Sequence, residues 1–289
     1  MGSQRWPWGR WCDLGFFPGS QNEVLMMQEA KQECYGTWYL PAGRMEPNET
    51  IVEATKREVK EETGLECEPL TLLAVEERGP IWIRFQARPL GLKPPGCGTL
   101  KTPQDADAES LQARWWDRES PALPLRARDI LPLMDLAMRY RDSPSHPATL
   151  PEEMPCALLC QRLLAAFANE AGDLWVLLSA VGAPHLPVCA CTASPSQIQP
   201  TLLGAAAQLL QEHSLLPHPA VQAHGVLGVQ HQGKSAGKAD GVCFNVLFIA
   251  GQAALGPEGP PAPIVMGGQA VEPMFQISFG SEHACNQNI

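Results

Sequence analysis

The chain has 289 residues and a formal net charge of -10, with 45% hydrophobic and 18% charged residues. A length of this order predicts about two domains of ~150 residues each, and the composition is ordinary for a globular protein. Since an acidic chain without a basic stripe is unsuited to neutralising the phosphates of a nucleic-acid polymer, we expect no such partner. A small nucleotide ligand remains compatible with this charge, because a divalent cation can bridge its phosphates to acidic side chains.

The cysteines and the apolar segments bear on the compartment. Ten cysteines are scattered along the chain with no secretory signal before them, which predicts reduced thiols in the cytosol. No run of about 18 apolar residues occurs, so we expect no membrane span. The sequence points to no particular protein partner.

Taken in chain order, short apolar segments separated by turn residues predict an α/β fold with a mixed sheet. Residues 1–13 contain Pro7 and two glycines and are poor material for a central strand. The next elements are expected to be strands at 24–28, 70–76, 80–86 and 113–117 and helices at 48–63 and 126–140. The proline-rich linker and the composition predict a first domain at 1–142, a linker at 143–151, a second domain at 152–252 and a disordered tail at 253–289.

The stretch GRMEPNETIVEATKREVKEETGL, residues 43–65, concentrates glutamates near one end of a predicted helix. With Asn48 as N-cap and Gly64 in the left-handed position after the last turn, this helix spans 49–63. The three carboxylates at 58, 61 and 62 then share one face, where each like-charged pair costs roughly 0.2–0.5 kcal/mol, and the helix dipole disfavours anions at that end. A solvated charged face explains the total charge but not its position, whereas a hard divalent cation removes the conflict.

The spacing of Gly43, five residues, Glu49, seven residues and then REVKEETGL resembles the Nudix box. Nudix enzymes hydrolyse nucleoside diphosphates linked to another moiety, using Mg²⁺ or Mn²⁺ bound in a loop–helix–loop. The resemblance implies a Nudix α/β/α sandwich and Mg²⁺ as cofactor, for which Mn²⁺ can substitute. It implies that the metal ligands are the Gly43 carbonyl, Glu58, Glu61 and Glu62.

The resemblance also implies supporting and catalytic roles. Arg57 is expected to orient the carboxylates by charge-assisted hydrogen bonds, with an ordinary pair to Glu53 as a compatible alternative, and Glu49 to cap or brace the loop. The proton of the attacking water needs an acceptor. The candidates are Glu61 and Glu62 in the box and Asp105, Asp107 and Glu109 in a later loop, for which a solvated acidic loop is the alternative.

Three further segments, EVLMMQEAKQECYGTWYLPAGRMEP, LLAVEERGPIWIRF and LKTPQDADAESLQ, resemble the vertebrate Nudix enzymes that act on 8-oxo-dGDP. The likeness runs from about Leu14 to near Cys243. It implies hydrolysis of 8-oxo-dGDP, 8-oxo-GDP and oxidised dADP to monophosphate and phosphate. A flat purine is expected to stack on aromatic side chains, and the candidates, for which core packing is the alternative, are Trp82, Phe85, Trp115 and Trp116.

The chain departs from the family at its start, where RWPWGRWCDLGFF replaces the apolar first strand that normally lines the base pocket. Two other functions therefore stay open. One is cleavage of ADP-ribose or a dinucleotide, and the other is a non-catalytic binding module with a Nudix fold.

The second half of the chain resembles the first. RLLAAFANEAGDLWVLLSA aligns with LGFFPGSQNEVLMMQEA, HLPVCA with YLPAGR, and TLLGAAAQLLQEHSL with IVEATKREVKEETGL. In this register the positions of Arg57, Glu58, Glu61 and Glu62 are taken by Ala207, Gln208, Gln211 and Glu212. Our hypothesis is that 152–252 is a degenerate Nudix-like α/β domain without a metal site; the alternative is an unrelated α/β unit, which would have a different strand order.

Overall fold

The computed structural model describes residues 12–15, 23–46, 48–78, 82–88, 98–119, 121–156, 159–168, 174–179, 183–191, 204–206, 209, 221–234, 241–250, 265–266, 269–270 and 275–277. The chain divides into two compact units. The first comprises Met1–Glu153 and Gly233–Lys238, and the second comprises Met154–Gln232 and Ala239–Ile289. Within the described ranges no helix reaches the length and hydropathy that a bilayer crossing requires.

The first unit contains two sheets and two helices. Its elements are β1 (Cys12–Gly15), β2 (Val24–Glu29), β3 (Trp38–Tyr39), β4 (Ala42–Arg44), α1 (Ile51–Thr63), β5 (Thr71–Arg78), β6 (Trp82–Arg88), β7 (Ser110–Trp116), α2 (Ile130–Asp142) and β8 (Glu152–Glu153). One sheet has the order β4-β1-β6-β5, and the other has the order β3-β2-β7. Because β1 is parallel to β6 and antiparallel to β4, the prediction of an α/β fold with a mixed sheet is confirmed.

Strand β2 is buried on both faces. Val24 and Met26 belong to the apolar cluster that includes Met134 of α2, whereas Leu25 packs in a second cluster with Val59 of α1. Neighbouring side chains of a strand point to opposite faces, so this sheet lies between the two helices.

Helix α1 begins at Ile51, so the predicted N-cap Asn48 is wrong. The N-cap is Thr50, whose Oγ1 accepts the Glu53 N–H at 3.1 Å while the Glu53 carboxylate accepts the Thr50 N–H at 2.8 Å. This reciprocal capping box satisfies two amides, and Asn48 instead has a left-handed φ of 69°. The predicted end is confirmed, since Gly64 is left-handed at φ 79° and donates its N–H to Lys60.

The chain passes very close to the end of α1. A Cβ on Gly64 would lie 2.2 Å from the Thr99 carbonyl oxygen, and one on Gly98 would lie 2.3 Å from the Gly64 oxygen. In the same segment, the Lys101 N–H donates to the Thr63 carbonyl at 2.9 Å. The segment 98–101 therefore caps the helix with its backbone.

The prediction that residues 1–13 contribute no strand is wrong at its C-terminal edge, because β1 begins at Cys12 and lies between β4 and β6. The residues that pair are Cys12–Gly15, and Pro7 lies outside the described residues. Helix α2 starts later than predicted, because the Arg126 N–H is bonded to the Trp38 carbonyl at 2.9 Å. The other predicted elements of this unit are present with ends shifted by a few residues.

The second unit contains β9 (Leu159–Ala168), β10 (Leu174–Val176), β11 (Val188–Ala190), β12 (Val221–His231) and β13 (Val242–Ala250). Four of these strands follow the order β11-β9-β13-β12. Strand β9 is antiparallel to β11 and parallel to β13, and β13 is antiparallel to β12. This order and these directions equal those of β4-β1-β6-β5 in the first unit.

The pairing registers agree with the sequence alignment as well. Leu14 of β1 lies opposite Ala42 of β4, and Arg162 of β9 lies opposite Val188 of β11. The alignment of the two halves places Leu14 on Arg162 and Ala42 on Val188. A different strand order, which would have rejected the repeat, is not found in these four strands.

Two parts of the sequence analysis fall largely outside the described residues. These are the four aligned positions Ala207, Gln208, Gln211 and Glu212, and most of the tail at 253–289. Within the tail, β14 (Val265–Met266) pairs with β15 (Gln269–Ala270), and β16 (Phe275–Ile277) pairs antiparallel with β10.

Candidate active site

Arg57 connects the carboxylates of α1 to the preceding loop. Its guanidinium donates to both oxygens of Glu49 at 2.6 and 3.0 Å. The same group donates to Glu58 at 2.8 Å and Glu61 at 3.2 Å, and to the Arg44 carbonyl at 2.8 Å. The hydrogen bonds to Glu49 and Glu58 raise the pKa of Arg57 further above its ordinary range. The planar fork thus fixes several acceptors at once, which a lysine could not do.

Glu58 is buried and lies directly against Gly43. A Cβ at position 43 would meet the Glu58 Cδ at 1.7 Å, so only glycine leaves room for this carboxylate. Burial raises the pKa of Glu58, the ion pair with Arg57 opposes that shift, and the charges of Glu109 and Glu61 add to it. The ion pair with Arg57 therefore does not fully compensate the burial of Glu58 and the negative charges beside it.

Glu62 is 1% exposed, and its Oε2 accepts the Ala42 N–H of β4 at 2.8 Å. Burial raises the pKa of Glu62 well above its usual value, and the amide of Ala42 only partly offsets this. Glu62 therefore ties the helix to the strand that carries Gly43.

The structure brings Glu58 and Glu61 together with Glu109. One carboxylate oxygen from each of the three residues lies within 4.8 Å of the others. Glu58 and Glu61 belong to α1, whereas Glu109 comes from the loop before β7 and is held there in part by a hydrogen bond from the Ala30 N–H to its carbonyl. Of the described residues, these form the one cluster of this kind, and Glu62 is not part of it.

The other acidic candidates of that loop have partners of their own. Asp105 bonds the hydroxyl and the N–H of Thr102 at 2.7 and 3.0 Å, which places it in a local capping box. Asp107 accepts a hydrogen bond from Lys101 at 2.5 Å. Although burial acts in the opposite direction, this bond and the amides of Ser110 and Glu109 lower the pKa of Asp107.

The aromatic candidates separate into three cases. Trp116 is 5% exposed and lies in the apolar core, where its indole N–H donates to the Pro121 carbonyl at 3.0 Å. Trp115 packs beside the α1 cluster. The side chains of Trp82 and Phe85 lie outside the described part of the structure. Trp116 therefore has the core role that was the alternative to stacking.

Sequence reasoning missed two polar groups near the cluster. Glu29 is 2% exposed and bonds Arg126 at 2.5 Å, and its charge contributes to the raised pKa of Glu62. Lys101 is the second, and its contacts reach both α1 and the Glu109 loop. Both residues lie in segments that resemble the Nudix family, but nothing in those segments marks either residue as part of the site, so only long-range pairing could have identified them.

The donor set fits a hard divalent cation. Three clustered carboxylates supply the oxygen ligands that Mg²⁺ and Mn²⁺ favour. Arg57 contacts one oxygen each of Glu58 and Glu61, which leaves the second oxygen of each free of this ion pair. The space that glycine leaves at position 43 is filled by a carboxylate rather than by an apolar group.

Comparisons with known proteins agree with this geometry. Residues 15–135 match the model of the NUDIX domain. The chain is 56% identical over 236 residues to the 8-oxo-dGDP phosphatase NUDT18 of Homo sapiens, covering 81% of this chain and 70% of that protein. It is 47% identical over 234 residues to the NUDT18 enzyme of Danio rerio, covering 80% and 70%.

Among solved structures, a NUDIX hydrolase from Nitrosomonas europaea is 29% identical, with 50% of this chain and 77% of that chain covered and a TM-score of 0.36. The family match and the two relatives carry the assignment, and the helix with its clustered carboxylates lies inside the matched residues. The chain belongs to the Nudix hydrolase family.

Proposed function

We propose that this enzyme hydrolyses oxidised purine nucleoside diphosphates, with 8-oxo-dGDP, 8-oxo-GDP and oxidised dADP as substrates. The products are the nucleoside monophosphate and orthophosphate. The observation that carries the proposal is the carboxylate cluster of Glu58, Glu61 and Glu109 in a chain 56% identical to an enzyme named 8-oxo-dGDP phosphatase. We further propose that the enzyme acts in the cytosol.

Glu58, Glu61 and Glu109 are the residues that would hold Mg²⁺ or Mn²⁺. When bound, such a cation neutralises phosphate oxygens and acidifies a coordinated water. The resemblance to the Nudix box adds the Gly43 carbonyl and Glu62 as proposed ligands. In the described geometry Glu62 also braces β4 through Ala42, so its substitution affects the site by either route.

The chain's own residues divide the remaining tasks. Arg57 holds Glu58 and Glu61 in place through charge-assisted hydrogen bonds, and Glu49 fixes the other side of its guanidinium. Glu61 and Glu109 are exposed to solvent, so the carboxylate of either residue can accept the proton of the attacking water. Trp82, Phe85 and Trp115 are the proposed contacts for the purine.

The test is phosphate release from 8-oxo-dGDP in Mg²⁺, compared among the wild-type chain and the Glu58→Gln and Glu61→Gln variants. Loss of carboxylate charge from the cluster is expected to lower kcat by about 100-fold or more, as for other groups that act on the transition state. Glu66→Gln is the matched control, because Glu66 is an exposed glutamate that only pairs with Lys60 at 3.5 Å. Equal rates in all four proteins would refute the enzymatic proposal.

Product analysis separates the substrate classes. Orthophosphate together with 8-oxo-dGMP supports the proposal. If the enzyme converts ADP-ribose to AMP and a ribose phosphate but leaves 8-oxo-dGDP intact, the pyrophosphatase alternative replaces the proposal. Tight binding of 8-oxo-dGDP without turnover would identify a binding module.

We also propose the domain division 1–142, 143–151 and 152–252, with the last segment a degenerate Nudix-like domain. The shared strand order and directions of the two units support this proposal. A chain ending at residue 151 should then fold and bind Mn²⁺ by itself. Aggregation of that fragment, with the full chain remaining folded, would contradict the division.

A further inference from the structure

We propose that Lys101 is a positioning residue that locks the loop of Glu109 onto the end of α1 and thereby keeps the metal-binding carboxylates together. It serves the site of the proposed function, but its structural consequence can be measured without substrate.

Lys101 is a buried lysine with a complete set of partners. Its side chain is 6% exposed, and its ammonium group donates to three oxygens. These are the Glu61 carbonyl at 3.0 Å, the Ser110 Oγ at 2.7 Å and the Asp107 Oδ2 at 2.5 Å. An ammonium has three donors, so every proton has an acceptor and the group has one preferred position.

These three acceptors belong to two different parts of the site. Glu61 lies in the last turn of α1, whereas Asp107 and Ser110 flank Glu109. The ammonium group therefore joins the helix that supplies two carboxylates of the cluster to the loop that supplies the third. The Lys101 backbone adds to this joint, since its N–H donates to the Thr63 carbonyl and its carbonyl accepts the Ala113 N–H of β7.

Asp107 passes this restraint on to Glu109. While its Oδ2 is held by Lys101, its Oδ1 accepts the N–H groups of Glu109 and Ser110, each at 2.9 Å. The backbone of Asp107 also donates to the Ser110 carbonyl at 3.1 Å. The loop is thus folded around one carboxylate, and that carboxylate is fixed by one lysine.

The position of the charge matters as well. Glu61 and Glu62 lie at the negative end of the helix dipole, where carbonyls lack intrahelical partners. Lys101 supplies a buried cation and two hydrogen-bond donors to that end. It therefore stabilises the arrangement in which Glu58, Glu61 and Glu109 lie close together, although their like charges repel one another.

A purely structural role makes a different prediction from a positioning role. A lysine that only stabilises the fold can be replaced at a cost in Tm, with the metal affinity and kcat of the folded protein unchanged. A positioning lysine changes both, because a displacement of about 1 Å at a reacting group can cost about 100-fold in rate.

The experiment compares Lys101→Met and Asp107→Asn with the wild-type full chain. Mn²⁺ dissociation constants, read from the electron paramagnetic resonance of free Mn²⁺ without substrate, are expected to rise by about 10-fold in Lys101→Met. Asp107→Asn keeps an oxygen that can accept the N–H groups of Glu109 and Ser110 but places an NH2 group against the Lys101 ammonium, so that one hydrogen bond is lost. Since Lys101 still donates to Glu61 and Ser110, a smaller rise is expected. Lys56→Met is the control, because Lys56 forms only an exposed pair with Glu68, and its Mn²⁺ affinity should not change.

The kinetic arm is a double-mutant cycle with Glu109→Gln. If Lys101 acts through Glu109, Lys101→Met lowers kcat by roughly 10- to 100-fold in the wild-type background but has little further effect once Glu109 is already replaced. Additive losses, or a lower Tm with unchanged Mn²⁺ affinity in both Lys101→Met and Asp107→Asn, would overturn the inference.

The two proposals can fail separately. Should the wild-type chain bind Mn²⁺ but leave 8-oxo-dGDP intact, the proposed function fails and the Mn²⁺ titrations still decide the role of Lys101. Should Lys101→Met not fold, Asp107→Asn provides the decision in its place.

Discussion

Gly43→Ala tests whether the position of the Glu58 carboxylate depends on the absence of a side chain at residue 43. The new Cβ would lie 1.7 Å from the Glu58 Cδ and 1.8 and 1.9 Å from its two oxygens. Since nonbonded carbons rest about 3.5–4.0 Å apart, the carboxylate must move by about 2 Å. Displacement of a catalytic group by about 1 Å can cost about 100-fold, so we expect kcat to fall by at least that factor, or roughly 2.7 kcal/mol.

The loss of activity should exceed the loss of stability. The clashing atoms are the end of a flexible side chain, which can rotate away from the alanine while the backbone stays in place. We expect a destabilisation of about 1 kcal/mol, the lower end of the range for overpacked sites, and a weaker Mn²⁺ affinity. The measurements are kcat for 8-oxo-dGDP, the Mn²⁺ dissociation constant and the urea midpoint.

Gly228→Ala is the control for Gly43→Ala, because its Cβ would lie at an ordinary 3.6 Å from the Asn245 Nδ2. A folded Gly43→Ala protein with wild-type kcat and Mn²⁺ affinity would refute the reasoning about Glu58.

Three further changes have defined outcomes. Burial raises the pKa of Glu62 well above its usual 4.5, so its contribution to stability is fully present below pH 4.5 and is lost as pH rises through its folded-state pKa; in EDTA, the Tm of wild type relative to Glu62→Gln should fall as the pH is raised above 4.5, and a difference that does not change with pH contradicts this. Arg126→Met leaves the buried Glu29 carboxylate without its cation and should cost about 1–3 kcal/mol in denaturant unfolding; adding Glu29→Gln should restore part of it. Thr50→Ala removes half of the capping box with Glu53 and should cost about 1 kcal/mol with kcat unchanged.

The sequence predicted the parts of the site that depend on local spacing. Glu58 and Glu61 share one helix face because they are three residues apart, and Gly64 ends the helix because it alone accepts the left-handed conformation readily. Asn48 was mistaken for the cap because two candidate caps lie within three residues, and the capping box with Glu53 favours Thr50.

Long-range pairing accounts for what the sequence could not give. Glu109 reaches Glu58 because the loop before β7 is bonded to Ala30 at the end of β2, a contact between segments about 80 residues apart in the chain. The burial of Lys101 follows from the same packing, since nothing in LKTPQD distinguishes it from an exposed lysine. Strand β1 contains Asp13 and Gly15, which are residue types depleted in strands, so its place in the sheet follows from backbone pairing with β4 and β6 rather than from strand propensity.

Gly36 and Gly64, which both have a left-handed backbone, should respond differently to selection. Gly36 has a φ of 78°, but a Cβ there would have 3.9 Å of clearance to its nearest neighbour, Gln28. Asparagine, which tolerates that backbone region, should therefore survive in a saturation library at position 36. At Gly64 the Thr99 oxygen occupies the space of any side chain, so the same library should return glycine alone.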